Sequence, residues 1–469
     1  MSLRKHLALA ASAGLALRLS LVWKFPAVAG DTRIYEELAH NWLYKGVYGL
    51  LLDGRLTPVD IRVPGYPAFL AAVYAVLSES RLAVMLVQAL VDLAGCFLTA
   101  GLAAAAAPSG GRGRVAVTAL WLAATCPFVA NYAAVPLAEV PATFLTALAL
   151  LLIVTGLTRE EAIPAEPRQR PSTWIWLLGG VVTGLATLVR PESPLLLVAV
   201  ALVLVARWWR PHNWGKLARA CALLAAGLFL ALLPWAARNW LTLHRVQFLA
   251  PRYANLPGEF VPRGVYAWTR TWLVRFRDVY RVPWKLEDRP IPIEDLPASA
   301  FDSEEERARV AALLAQYNAE LDLTPEIDSG FAQVARERTA RHPLRTYAWI
   351  PIERTAVLWF TPRVELLPYS GDLWPVARRW REDPVDFSVT IFLALLSFFY
   401  AALALGGAWR SRMHAGVGIL AAFILVRTIY FSQIETVEPR YVLVCFPAVL
   451  ALAALAWPAQ QSPLNVTDS

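Results

Sequence analysis

Little in this chain suits a soluble protein. Charged residues fill only 17% of its 469 positions, against roughly 25% in soluble domains. Histidine is scarce: the six present (His6, His40, His212, His244, His342, His414) form no i, i+4 pair and no ligand-spaced cluster, which disfavours a histidine metal site. The four cysteines (Cys96, Cys126, Cys221, Cys445) all fall inside apolar runs. That placement suits small buried hydrophobes and argues against a disulfide framework or a thiolate metal site. No internal repeat of fixed period, no long low-complexity tract and no strand-rich region is visible. The net charge of +8 is not a nucleic-acid signature. No basic stripe with interleaved aromatics stands clear of the apolar segments, and inside loops of membrane proteins collect Lys and Arg for topological reasons.

What the chain has in abundance is apolar length. It is 57% hydrophobic, with a mean hydropathy of +0.45. Runs that approach the roughly 20 residues needed to cross about 30 Å of hydrocarbon recur along it. The expected spans are Leu7–Phe25, Leu82–Ala106, Val115–Asn131, Pro136–Leu157, Trp174–Val189, Pro194–Trp208, Ala218–Ala236, Phe387–Trp409, Val417–Phe431 and Tyr441–Trp457, about ten in all. Their middles read as almost wholly Ala, Leu and Val, with the polar residues gathered at one face. The pieces around Arg190 are short, as a tilted or partly re-entrant segment would be. The first run follows Arg4, Lys5 and His6 but lacks a small-residue cleavage site, so it reads as a retained helix and not a signal peptide. One alternating set of short loops carries Arg4 and Lys5, Arg112 and Arg114, Arg159, Arg168 and Arg170, Arg207 to Arg219, and Arg410 and Arg412. Those loops are cytoplasmic by the positive-inside rule, which puts both termini inside and leaves the Asn465-Val466-Thr467 sequon without meaning. Trp174, Trp208, Trp209, Trp235, Trp240 and Trp409 near the span ends suit an aromatic belt.

The outside stretch 238–386 is too long to be mere connection. Ser303 and Glu306 make a capping box, Thr324-Pro325 an N-cap and first helical position, and Pro343 opens the pattern PLRTYAWIPIERTAVLWF, whose apolar side chains suit a membrane interface. The expected organisation is a membrane module over 1–240 with a catalytic first outside loop (26–81), a small helical outside region over 241–386, and C-terminal membrane helices with a tail over 387–469.

Acids and bases converge on the outside face. Asp31 follows the first span. Tyr35 lies in the amphipathic stretch after it, and Arg62 stands beside a Pro-Gly-Tyr-Pro turn that contains Tyr66. Glu139 begins the fourth span, Arg190 and Glu192 lie between the fifth and sixth, and Glu438, Arg440 and Tyr441 open the last. A charge at the edge of hydrocarbon is costly unless paired or hydrated, so each is a functional candidate. Each also has a structural reading: Asp31 and Glu139 as helix caps, Arg190 and Arg440 snorkelling to headgroups, Arg62 as a loop cation. Several arginines at one surface suit a lipid phosphate, because guanidinium holds phosphate oxygens in a bidentate way. A single carboxylate suits deprotonation of an acceptor hydroxyl in an inverting displacement, whereas glycosidases need two.

The strings GDTRIYEELAHNWLYKGVYG, RVPGYPAFLAAVY, PLAEVPATFLTALAL, GLATLVRPESPLLL, LPWAARNWLTLHRVQFLA and EPRYVLVCFPAVLALAAL resemble the GT-C superfamily of membrane glycosyltransferases. More narrowly they resemble glycosyltransferase family 39, which holds the protein O-mannosyltransferases and the aminoarabinose transferases of lipid A. The resemblance implies an all-α polytopic fold with two interfacial helices in the first outside loop, and a polyprenyl-phosphate monosaccharide donor. It implies Asp31 as the catalytic carboxylate with Glu139 as the second acid. It implies donor-phosphate cations at Arg62, Arg190, Arg238 and Arg440, and substrate contacts at Tyr35, Tyr66, Asn239, Glu192, Glu438 and Tyr441. Asp31 is followed by Thr32, so the Asp-Glu pair of the mannosyltransferases is missing, and their C-terminal sugar-binding barrel is not expected.

The resulting expectation is an inverting glycosyltransferase on the outer face of a bacterial inner membrane. Undecaprenyl phosphate would be the carrier, and a lipid, glycan or protein the acceptor. A carboxylate-bound divalent cation stays open as a cofactor. A glycan ligase or polymerase with a lipid-diphosphate donor and a lipid-linked sugar flippase are the competing readings; the apolar span middles argue against the flippase.

Overall fold

The computed structural model describes residues 3–161, 173–210, 213–256, 258–286 and 288–457. Arg168, Arg170, His212 and the sequon at Asn465 lie outside these residues. The chain divides into two compact units, one comprising 1–254, 362–426 and 443–469, the other 255–361 and 427–442.

In the first unit, helix α1 (Leu3–Lys24) leads to α2 (Gly30–Lys45), a hairpin of β1 (Gly49–Leu52) and β2 (Arg55–Pro58), and α3 (Gly65–Val76). The two helices are those the resemblance implies in the first loop. The hairpin was not expected. Its signal is Asp53-Gly54, both residues with positive φ, as a two-residue turn matching the strand twist requires. There follow α4 (Arg81–Ala106), α5 (Arg112–Ala124), α6 (Pro127–Ala130), α7 (Glu139–Glu161), α8 (Thr173–Val189), α9 (Leu195–Trp208) and α10 (Trp214–Leu243).

The second unit holds α11 (Arg263–Arg270), α12 (Phe276–Arg281), α13 (Glu304–Glu320), α14 (Pro325–Arg341) and a π-helical turn (Arg345–Trp349) running into α15 (Ile350–Phe360). Ser303 and Thr324 cap α13 and α14, accepting from the N–H groups of Glu306 (3.2 Å) and Ile327 (3.4 Å). The core gathers Val265, Trp268, Val310, Tyr317, Phe331 and Leu358. Asp328 of α14 accepts from the N–H groups of Gly264 (2.8 Å) and Val265 (2.9 Å), placing a negative charge at the positive end of α11. Arg354 is buried and donates to the carbonyls of Leu273, Arg270 and Ser432. Burial, then the neighbouring Arg270 charge, pull its pKa down to about 10.

The chain continues through α16 (Val376–Glu382), α17 (Pro384–Arg410), α18 (Ala415–Ser432) and α19 (Phe446–Ala454). Residues of α18 up to Val426 belong to the first unit, and Arg427 to Ser432 to the second.

Among the described residues, six helices (α1, α4, α7, α10, α17, α18) are long and apolar enough to cross a membrane, and α5 with the 127–134 segment, bent by 48°, makes a seventh if counted as one span. The bend falls at Pro127, whose ring disfavours helical geometry in the residue before it. The other expected spans are shorter apolar helices: α3 aside, these are α8, α9 and the 439–454 piece. The protein is a multi-pass membrane protein.

One expectation about the spans is overturned. Their interiors are not wholly apolar: Arg18 of α1 and Asp92 of α4 form a buried ion pair at 2.7 Å. Arg18 also donates to the carbonyls of Gly14 and Ala124, each at 2.9 Å, and to Cys96 Sγ at 3.1 Å. With every direction of the guanidinium engaged inside the protein, the pair ties helices together and does not line an open path, so it lends the flippase reading no support.

Backbone contact between α8 and α10 sets the height of the turn that carries Arg190. A Cβ on Gly180 would lie 2.3 Å from the Leu224 carbonyl oxygen, one on Gly184 2.7 Å from that of Leu228, and one on Gly227 of α10 2.3 Å from that of Leu177. Small residues four apart allow this approach where dispersion and not the hydrophobic effect joins helices. Gly180→Val is expected to force the pair apart at a cost of about 1–3 kcal/mol. A lowered thermal midpoint in detergent checks this; an unchanged midpoint contradicts the contact.

Candidate active site

Helix α2 begins with Gly30 after Ala29, which has no side chain with which to cap. Thr32 supplies the cap: its Oγ1 accepts from Ala29 N–H at 3.2 Å and donates to the Pro136 carbonyl at 3.1 Å. Asp31, which the sequence allowed as a cap, bonds elsewhere. Its Oδ1 accepts from Arg62 Nη2 at 2.9 Å. The pair is partly open, Asp31 being 25% and Arg62 21% exposed. Burial disfavours the Arg62 cation, yet Asp31 and then Tyr35 outweigh it, so its pKa lies above the ordinary arginine value.

A second cluster sits at the start of α7. Glu139, only 1% exposed, is bonded by Arg190, which also donates Nη1 to Glu192 at 3.1 Å. Arg190 follows the last residue of α8, and the turn is stitched by Ser193, whose N–H donates to the Arg190 carbonyl at 3.0 Å and whose hydroxyl donates to that of Ala186 at 3.1 Å.

Tyr35 joins the two clusters. After burial, the charges acting on its phenol are, in order, Asp31, Arg62, Arg190 and Glu139. Burial first, and the Asp31 carboxylate next, push its pKa up to about 12. Its ring meets Tyr66 edge-on at 5.0 Å. The turn before Tyr66 is pinned to the end of α8, because a Cβ on Gly65 would lie 2.5 Å from the Leu188 carbonyl oxygen.

Arg238 and Asn239 bind the first loop to the end of α10 and the segment after it. Arg238 donates Nη2 to the Tyr48 carbonyl (2.6 Å) and Nη1 to that of Val59 (2.9 Å) and to Asn239 Oδ1 (2.9 Å). Its guanidinium lies 5.3 Å from the Tyr48 ring centre and 5.1 Å from that of Trp235. Tyr48 in turn donates its hydroxyl to the Arg62 carbonyl at 2.9 Å. Asn239 Nδ2 donates to the Gln247 carbonyl at 2.9 Å.

Glu438, Arg440 and Tyr441 belong to the second unit, where they form a triad of their own: Arg440 Nε and the Tyr441 hydroxyl both donate to the Glu438 carboxylate.

Residue-type reasoning passed over Gln88. It is fully buried in α4, accepts from the Tyr66 hydroxyl at 2.8 Å, and donates Nε2 to the carbonyls of Val135 (2.7 Å) and Tyr132 (3.2 Å). One amide thus grips both the turn beside Arg62 and the segment leading to Glu139. Gln88 and Asp92 stand one turn apart in an otherwise apolar run, a spacing visible in the sequence. Gln88→Leu keeps the volume but strands buried polar groups, at about 1–3 kcal/mol. A thermal midpoint equal to that of wild type would remove it from this role.

Among the described residues no group of three or more His, Cys, Asp or Glu is placed to hold a metal ion.

No protein-family model matches the chain, and no curated protein matches it by sequence. Solved structures do match by fold. The archaeal oligosaccharyltransferase AglB from Archaeoglobus fulgidus, in complex with an inhibitory peptide and a dolichol-phosphate, superposes with a TM-score of 0.51 at 14% identity, covering 97% of this chain and 50% of that one. The same enzyme in complex with Zn and sulfate gives 0.51 at 14% identity, covering 96% and 48%. ArnT from Cupriavidus metallidurans in the apo state gives 0.37 at 13% identity, covering 96% and 77%; at that score the folds agree only loosely and the comparison carries no weight. This chain spans about half the length of the archaeal structures it matches. It shares the GT-C fold of these archaeal structures, the fold that its motifs indicated.

Proposed function

We propose that the protein is an inverting glycosyltransferase that moves a sugar from a polyprenyl phosphate to an acceptor hydroxyl at the outer surface of a bacterial inner membrane. The observation that carries this reading is the difference between the two acids. Asp31, paired with Arg62, is a quarter exposed, while Glu139, paired with Arg190, is 1% exposed. The open acid is the one an alcohol can reach.

In this reading the donor phosphate takes over Arg62 and Arg190, whose planar donors match its oxygens. Losing Arg62 frees Asp31 Oδ1 to accept the acceptor's hydroxyl proton. The acceptor oxygen then bonds to the anomeric carbon as the bond to the phosphate oxygen breaks, and the phosphate leaves as an anion already neutralised by guanidinium. The proton stays on Asp31, and one displacement gives inversion. Glu139 and Glu192 keep Arg190 aimed. Arg238 and Asn239 hold the loop on which Arg62 stands, and Tyr35 and Tyr66 offer neutral hydroxyl and ring surface to the sugar. Arg440, with Glu438 and Tyr441, is a further phosphate-binding candidate. That AglB was solved with a dolichol-phosphate supports a lipid-linked donor for this fold. The Zn in another AglB structure keeps a divalent cation open, though the acids here are engaged by arginine and no step above relies on one.

Mass spectrometry of envelope glycans and glycolipids with and without the gene names donor and acceptor together through the missing monosaccharide. Purified protein in liposomes should then transfer that sugar from its polyprenyl phosphate. Identical envelopes and no transfer from any such donor would overturn the assignment.

A further inference from the structure

The helix formed by Arg345–Trp349 and α15 has two unlike faces. Ile350, Arg354 and Leu358, four residues apart, are buried. On the opposite side Ala348, Ile352, Ala356 and Phe360 form an exposed row, Ile352 being 58% exposed. Leu344 (80%), Tyr347 (59%) and Trp349 (62%) widen it. Large apolar side chains in open contact with water are unfavourable, and a continuous stripe of them marks a surface made for a partner.

Where this helix is anchored identifies that partner. Its buried side is bonded to the end of α18: Trp359 Nε1 donates to Thr428 Oγ1 at 3.0 Å, and Arg354 Nη1 donates to the Ser432 carbonyl at 3.4 Å. Helix α18 is long and apolar enough to span a bilayer. The end of a span lies where hydrocarbon gives way to headgroups, so a helix packed on that end lies at the same depth. The same end of α18 exposes Ile429 and Tyr430, continuing the apolar surface. Tryptophan and tyrosine on the outward face suit that boundary, where one edge of the ring is wet and the other apolar.

We infer that the Arg345–Phe360 helix docks in the phospholipid interface, with Leu344, Trp349, Ile352 and Phe360 among the acyl-chain ends. The partner is the bilayer itself, and the mode is that of an amphipathic helix lying in the membrane plane.

The test uses the full-length protein in phosphatidylcholine–phosphatidylglycerol nanodiscs, in a Cys221→Ser background because the other cysteines are buried. Spin labels are attached at Ile352→Cys and, for comparison, at Ala308→Cys on the exposed side of α13. Collision with oxygen, which concentrates in lipid, should exceed collision with a water-soluble nickel complex at 352, and the order should reverse at 308. Nickel-dominated collision at 352 overturns the inference. So does dipolar broadening between labels in nanodiscs holding two copies, which would assign the face to a second chain. Neither readout depends on transferase activity.

Discussion

Replacing Asp31 with asparagine should stop sugar transfer while leaving the fold in place. The amide is nearly isosteric and its oxygen still accepts from Arg62, but it cannot take a proton. Removing a general base typically costs 10²–10⁴ in rate. The structural cost should be small, because the Asp31–Arg62 pair is partly exposed and such pairs contribute about 0–1 kcal/mol. Initial rates in liposomes, read beside the thermal midpoint, separate the two effects. A transfer rate matching wild type would remove Asp31 from the chemistry. Glu139→Gln offers the contrast: it removes the buried carboxylate from a mostly buried Arg190, so stability and activity should fall together.

The largest effect on stability is expected at Arg18 and Asp92. Removing one member of a buried ion pair typically costs 3–5 kcal/mol, because the other is left uncompensated. Within a membrane span a lone charge at mid-depth adds a cost on the order of 2.5–3.5 kcal/mol on insertion scales. Arg18→Met and Asp92→Leu should therefore each lose most of the folded protein in detergent, judged by size-exclusion profile and thermal midpoint. The double variant should recover, since well-packed apolar replacements of buried ion pairs are often neutral or better. Additive losses in the double variant would show that the residues are not coupled.

Much of this was legible before any coordinates. Apolar run length marks the helices long enough to span among the described residues, because the bilayer permits few alternatives. Capping residues mark α13 and α14, because local hydrogen bonds settle where those helices start. Arg62 beside Asp31 and Arg190 beside Glu139 were visible as candidates but not as pairs, since pairing depends on how α2, α7 and α8 are set beside one another. The hidden elements have a common origin. Gln88 and the Arg18–Asp92 pair sit inside runs whose average hydropathy masks a single polar position, and their partners are far away in sequence. Thr32 was read only as the residue that breaks an acidic pair. Its actual work, capping α2 so that Asp31 need not, shows only in the backbone geometry at Ala29.

Gly65 rests directly on the Leu188 carbonyl. Main chain against main chain leaves no pliable side chain to absorb a displacement. Any opening of the first loop should therefore drag the end of α8, and under the proposed function a donor headgroup would shift both arginines as one rigid jaw instead of one after the other.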